Sequence, residues 1–193
     1  GREYQGTLCS TLQAAYEKRL VSEKTGKPIK YLIINLPPGF GKSYTLANFV
    51  NWCYGQDVKN KVITVSYNGI IAPEFSRTAK DMILEEETPG EESYVTRSFF
   101  PGLKVKYGDS SVMKWSLEGS YTSYLATSFD GTLTGMRGNI IIIDDPIKSA
   151  EEAVNDAVKE KHWNFFKNTL SSRMLPGALC IIVLTRWATD DLA

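Results

Sequence analysis

Tyr31-Leu32-Ile33-Ile34-Asn35-Leu36-Pro37-Pro38-Gly39-Phe40-Gly41-Lys42-Ser43 decides how the rest of the chain is read. Its first six residues make a short apolar run without polar alternation, the pattern of a parallel strand buried on both faces. Two prolines and two glycines stop that strand, and a helix is expected over residues 42–54. A glycine loop between a buried strand and a helix lets successive backbone N–H groups face phosphate oxygens, and the helix N-terminus adds its positive end. In such a loop Lys42 reaches the β- and γ-phosphates of ATP and the Ser43 hydroxyl completes a Mg2+ shell. Pro38, Gly39, Phe40, Gly41 and Tyr44 form the remainder of the cradle. The usual phosphate-loop pattern opens with glycine, where this chain carries Leu36; the placement between strand and helix offsets that departure.

A second apolar run, Ile140-Ile141-Ile142-Ile143, ends in Asp144-Asp145. Ligands in open α/β sheets bind beyond the carboxyl ends of the strands, so both acids are delivered to the edge where a nucleotide would sit. Asp144 is the candidate Mg2+ ligand, and Asp145 the candidate acid that orients the attacking water. A third run over 179–184 closes with Thr185, a candidate sensor of the terminal phosphate. Arg137, in the glycine-rich loop 130–138, suits an arginine finger that reaches a neighbouring subunit, with Arg77 and Arg186 as the other candidates. Gln5, at the start of an amphipathic helix over about 5–21, is a candidate reader of the adenine edge.

The remaining chain continues the alternation. Strands are expected over 61–67 and 124–129, helices over 73–87 and 151–170, and short strands near Val105 and over 112–117. Strand–helix alternation implies an α/β domain with a mainly parallel sheet and helices on both faces. With the phosphate loop this is the P-loop NTPase class of the additional-strand type, one domain over 1–193 with its core from about residue 30.

Composition narrows the possibilities. The 193 residues carry 22 Lys plus Arg against 22 Asp plus Glu, so nucleic-acid contact has to be local or shared among subunits. Cys9, Cys53 and Cys180 form no CxxC pair and His162 is the one histidine, which leaves a zinc site without ligands and a disulfide framework without a pattern. No apolar stretch approaches the length of a membrane span, and residues 1–5 do not read as a secretion signal.

Taken together, the motifs resemble the large terminase subunits of tailed bacteriophages. The resemblance rests on the run from Pro37 to Ser43, on Ser66-Tyr67, on Phe75-Ser76-Arg77, and on Gly131-Thr132-Leu133-Thr134-Gly135 leading into Ile142-Ile143-Asp144-Asp145-Pro146. It ends with Leu184-Thr185-Arg186-Trp187-Ala188-Thr189-Asp190-Asp191-Leu192, and so covers nearly the whole chain. It implies an ATP-hydrolysing motor that drives double-stranded DNA into a procapsid in the host cytoplasm, with no membrane. The implied partners are the portal protein and the small terminase subunit, in a homo-oligomeric ring whose isolated subunit is free to be monomeric. By position, Lys42, Ser43, Asp144 and Asp145 take the phosphate, metal and catalytic roles, and Thr185 falls in the coupling motif. Phe40 stands where relatives often carry an arginine, which favours Arg137 acting across an interface. The family's nuclease domain would lie beyond Ala193, so this fragment is expected to cut no DNA. Two alternatives remain: a helicase-like P-loop translocase, and a nucleotide-binding regulatory module with little hydrolysis.

Overall fold

The four isoleucines at 140–143 sit near the middle of the molecule. Successive strand side chains point to opposite faces, so such a run needs apolar cover on both sides. In the computed structural model, which describes residues 3–87, 95–133, 135–147 and 149–185, they belong to strand β5 (Gly138–Asp144). The other strands are β1 (Tyr31–Asn35), β2 (Val62–Ser66), β3 (Lys114–Trp115), β4 (Tyr124–Ser128) and β6 (Met174–Leu184). They form one six-stranded sheet in the order β1-β6-β5-β2-β4-β3. Every neighbouring pair is parallel except β3 against β4.

Ile140 and Ile142 pack into a layer supplied by helices α1 (Glu3–Tyr16), α2 (Lys42–Gln56) and α3 (Ala72–Leu84). Ile141 and Ile143 enter a second layer with Phe129, Leu133, Phe165 and Leu170. The expected mostly parallel α/β sheet with cover on both faces is therefore present. Between α3 and β4, the short helix α4 (Thr96–Phe99) and β3 carry the least regular part of the sequence. Trp115 anchors it: the buried ring stacks on Tyr124 at 4.9 Å and its N–H donates to Ser76 Oγ at 2.9 Å. The strand expected over 112–117 shrinks to β3, and Val105 contributes only an isolated bridge to Leu117.

Other expectations need correction. β1 is not buried on both faces: Tyr31 and Ile33 are 43% and 45% exposed, because β1 ends the sheet and pairs with β6. The first helix stops at Tyr16, and Lys18 turns the chain with φ 61°; Leu20 still packs against the core from beyond the turn. The helix expected over 151–170 is broken into α5 (Ala150–Ala153), α6 (Asp156–Asn164) and a π-helical turn, Phe165–Leu170. Asn155 causes the break, its side chain accepting from the N–H groups of Ala157 and Val158 as a helix N-cap does. β6 begins at Met174, upstream of the expected 179, and absorbs Pro176 and Gly177 opposite a register shift between Gly138 and Ile140.

The three cysteines are free, with Cys53 and Cys180 buried. No helix among the described residues is long and apolar enough to cross a membrane. What matters for a site is where the strands finish. Asn35 pairs with Leu184, Val183 with Asp144, and Asp144 with Ser66, so β1, β6, β5 and β2 end almost level.

Candidate functional site

The segments leaving that level edge carry the polar groups. After β1 the chain turns through Gly39 at φ 79° and Gly41 at φ 70°, the left-handed region that glycine enters without a Cβ clash. Gly41 is the residue before α2 and offers no side-chain cap, so the helix's leading N–H groups depend on an outside acceptor. The first two residues of α2 are Lys42 and Ser43.

Lys42 is 6% exposed in its side chain yet carries its ammonium to the edge. Nζ donates to Thr185 Oγ1 at 2.8 Å and lies 3.1 Å from Asp145 Oδ2. Ser43 Oγ donates to Asp144 Oδ2 at 3.0 Å. The residues expected from three separate stretches of sequence thus meet at one place. Together with Pro38, Tyr67, Ile71 and Ile147, Ser43, Asp144, Asp145 and Thr185 line a cleft of 340 Å³.

The two acids differ in setting. Burial, and then the neighbouring charge of Asp145, push the Asp144 carboxyl up to about 6, against the Ser43 hydrogen bond and the Lys42 charge that favour ionisation. Its Oδ1 is buried without a hydrogen-bond partner. A buried carboxylate oxygen with an unused lone pair, beside a hydroxyl, is a donor set that a hard cation such as Mg2+ fits. Among the described residues no three His, Cys, Asp or Glu side chains gather around one point, so further ligands would have to be water or phosphate oxygens.

Asp145 is more open and holds an unusual backbone, φ 41°. A non-glycine residue there costs about 1–3 kcal/mol and persists only where its surroundings fix it. Its N–H donates to Val183 O at 2.8 Å, and its Oδ1 accepts from Thr185 N–H at 2.9 Å. Lys42 adds the ionic contact. The strand tip of β6 therefore holds the acid that leaves β5.

The start of α1 packs against the loop. Tyr4 donates its hydroxyl to Phe40 O at 3.2 Å, with the two rings 5.3 Å apart. The Gln5 amide nitrogen lies 3.7 Å from where a Cβ on Gly41 would be. Gln5, Phe40 and the exposed Tyr44 thus stand around one loop. Arg137 does not join them. It is exposed and precedes β5 at its N-terminal end, and about 20 Å of extended strand separates it from Asp144. Arg77 faces a different hollow of 550 Å³ with Lys80 and Lys106. Arg186 and the rest of the run to Leu192 lie outside the described residues.

Sequence reasoning assigned no role to Tyr4 or to Glu152. Tyr67 donates its hydroxyl to Glu152 Oε1 at 2.8 Å across one side of the cleft. Tyr67 is marked in the sequence by its place directly after an apolar run and by the Ser66-Tyr67 pair; Glu152 gives no such mark.

No family model matches the chain, and no curated protein matches it. Among solved structures it shows likeness to one titled "The Phi-28 gp11 DNA packaging Motor", at 9% identity and a TM-score of 0.36. That likeness covers 80% of this chain and 46% of the other, so this chain spans under half the length of that protein. Superposition at that level leaves function to the chemistry of the cleft.

Proposed function

We propose that this chain is a P-loop ATPase domain that powers movement of double-stranded DNA, as in the packaging motors its motifs resemble. The observation that carries the reading is the convergence of Lys42 and Ser43, from the loop after β1, with Asp145 and Asp144 at the tip of β5. A buried ammonium, an uncapped helix start and a carboxylate–hydroxyl pair within one cleft suit a triphosphate and its metal.

In this reading the backbone N–H groups of the loop and of α2 bind phosphate oxygens. Lys42 exchanges its contacts to Asp145 and Thr185 for the β- and γ-phosphates. Ser43 and Asp144 would hold Mg2+, which supplies charge neutralisation on the phosphates when bound. Asp145, freed from Lys42, orients the water whose oxygen attacks the γ-phosphorus while the β–γ bridging oxygen leaves with ADP. Thr185, whose hydroxyl accepts from Lys42 and whose backbone N–H ties β6 to Asp145, would follow the loss of the γ-phosphate. Gln5 and Phe40 border the loop where a base would extend. Arg137, at the far edge of the sheet, can serve such a site only in a neighbouring copy of a ring. Duplex DNA, a portal and a small terminase subunit are the partners this reading requires.

Phosphate release and nucleotide titration test it. Lys42→Ala should lose nucleotide binding, and Asp145→Asn should keep binding while turnover falls by two or more orders of magnitude, roughly the scale of losing a key catalytic group. Wild-type turnover should rise with duplex DNA and portal rather than with a fork or single strand. Nucleotide binding with no phosphate release under any of these conditions would leave a regulatory module instead of a motor.

A further inference from the structure

Tyr67 is the first residue beyond β2, one position past Ser66, which pairs with Asp144. It lines the cleft, and its hydroxyl donates to Glu152 Oε1 at 2.8 Å in a part-buried contact between residues 85 positions apart. Glu152 lies in α5, on the stretch of chain that begins with Asp145. Ser149 caps that short helix by accepting from the Glu152 N–H at 3.3 Å.

Asp145 and Glu152 are thus each tied to a neighbouring strand tip. Asp145 holds φ 41° against the tip of β6 through Val183 O and Thr185 N–H. A phenol–carboxylate hydrogen bond ties Glu152 to the tip of β2. Such bonds, with an ionised acceptor, are shorter and stronger than neutral ones. A strained backbone keeps its conformation only while the flanking chain is fixed, and the described residues between β5 and α5, Asp145 to Ile147 and Ser149, belong to no strand or helix.

We propose that Tyr67 is a positioning residue for hydrolysis: by holding Glu152 it anchors α5 beside the tip of β2, and so sets the direction in which Asp145 presents its carboxylate to the cleft. The inference rests on the ATPase reading of that cleft. Tyr67 acts through Glu152 and touches no reacting atom.

The test uses the 193-residue chain and the variants Tyr67→Phe, Glu152→Gln, Glu152→Ala and the Tyr67→Phe/Glu152→Ala double. Phosphate release, nucleotide affinity and amide hydrogen exchange over residues 146–152 are measured for each. Tyr67→Phe keeps the ring as a wall of the cleft and removes only the donor. It should lower kcat about tenfold, the scale of one hydrogen bond to a charged group, with KM unchanged and faster exchange over 146–152. Glu152→Gln retains an accepting Oε1 but loses the charge, so its kcat should fall between those of wild type and Tyr67→Phe. Glu152→Ala should lower kcat at least as far as Tyr67→Phe, and the double variant should be no slower than the slower single. Wild-type kcat and exchange in Tyr67→Phe would overturn the proposal, as would a change confined to KM or a double variant that multiplies the two losses. Should the wild type release no phosphate, the ATPase reading fails by itself, and the exchange data still decide whether Tyr67 anchors α5.

Discussion

Gly41 shows how much a single position carries. It enters α2 at φ 70°, and a Cβ built on it would meet only the Gln5 amide nitrogen, at an ordinary 3.7 Å. Space is therefore not what forbids a side chain; the backbone is. Gly41→Ala should destabilise the fold by about 1–2 kcal/mol, the cost of a left-handed L-residue. In a chain of this size that is a fall of roughly 2–8 °C in Tm, with nucleotide affinity reduced as the loop's N–H groups turn away. Calorimetry and nucleotide titration read both, and an unchanged variant would mean the loop does not need this turn. Legibility at this scale followed chain grammar. Lys42, Ser43, Asp144, Asp145 and Thr185 each stand where an apolar run gives way to a turn, so the sequence alone marks them out. Tyr67 and Glu152 lie 85 positions apart, and only the folded order of β2 and β5 makes them neighbours.

Among the elements, the region after β5 departs furthest from its sequence pattern. Apolar spacing over 151–170 suggests one helix, but Asn155 caps a new one, and α6 then runs into a π-helical turn. The signal was present as Asn155-Asp156, a start pattern hidden inside a periodic stretch. α6 is seated by His162, whose ring is buried and stacked on Phe129 at 4.0 Å, with Nδ1 lacking a hydrogen-bond partner. Burial first, then the Lys161 charge, hold the imidazole below its usual value, while Glu152 and Asp130 oppose them. The folded state therefore binds fewer protons than the unfolded one. Its stability is full above the unfolded value near 6.5 and is lost as the pH drops below it. Urea unfolding at pH 7.5 and 5.5 should show a loss in the wild type that shrinks in His162→Phe; equal losses would place the acid sensitivity elsewhere.

For the whole molecule, the class of fold was legible and the lateral order of strands was not. Five strands, most of them separated by helices, predict a parallel sheet, since parallel neighbours need crossovers. Which strand lies beside which is a long-range matter, and the apolar run 31–36 reads as central although β1 closes the sheet. The paired ends of β1, β6, β5 and β2 then account for the site, because the four strands finish at one height. The margin at β1 should also govern how the purified protein behaves when concentrated. Tyr31 and Ile33 make it a greasy, uncharged border on which another copy can lengthen the ladder, the usual start of edge-to-edge aggregation. Ile33→Lys should slow the growth of light scattering in concentrated solution and leave nucleotide affinity as it was; undiminished scattering would trace the stickiness to another surface. The shelf life of the protein in solution would then depend on two side chains of the border strand, two strands away from the buried isoleucines and outside the phosphate contacts.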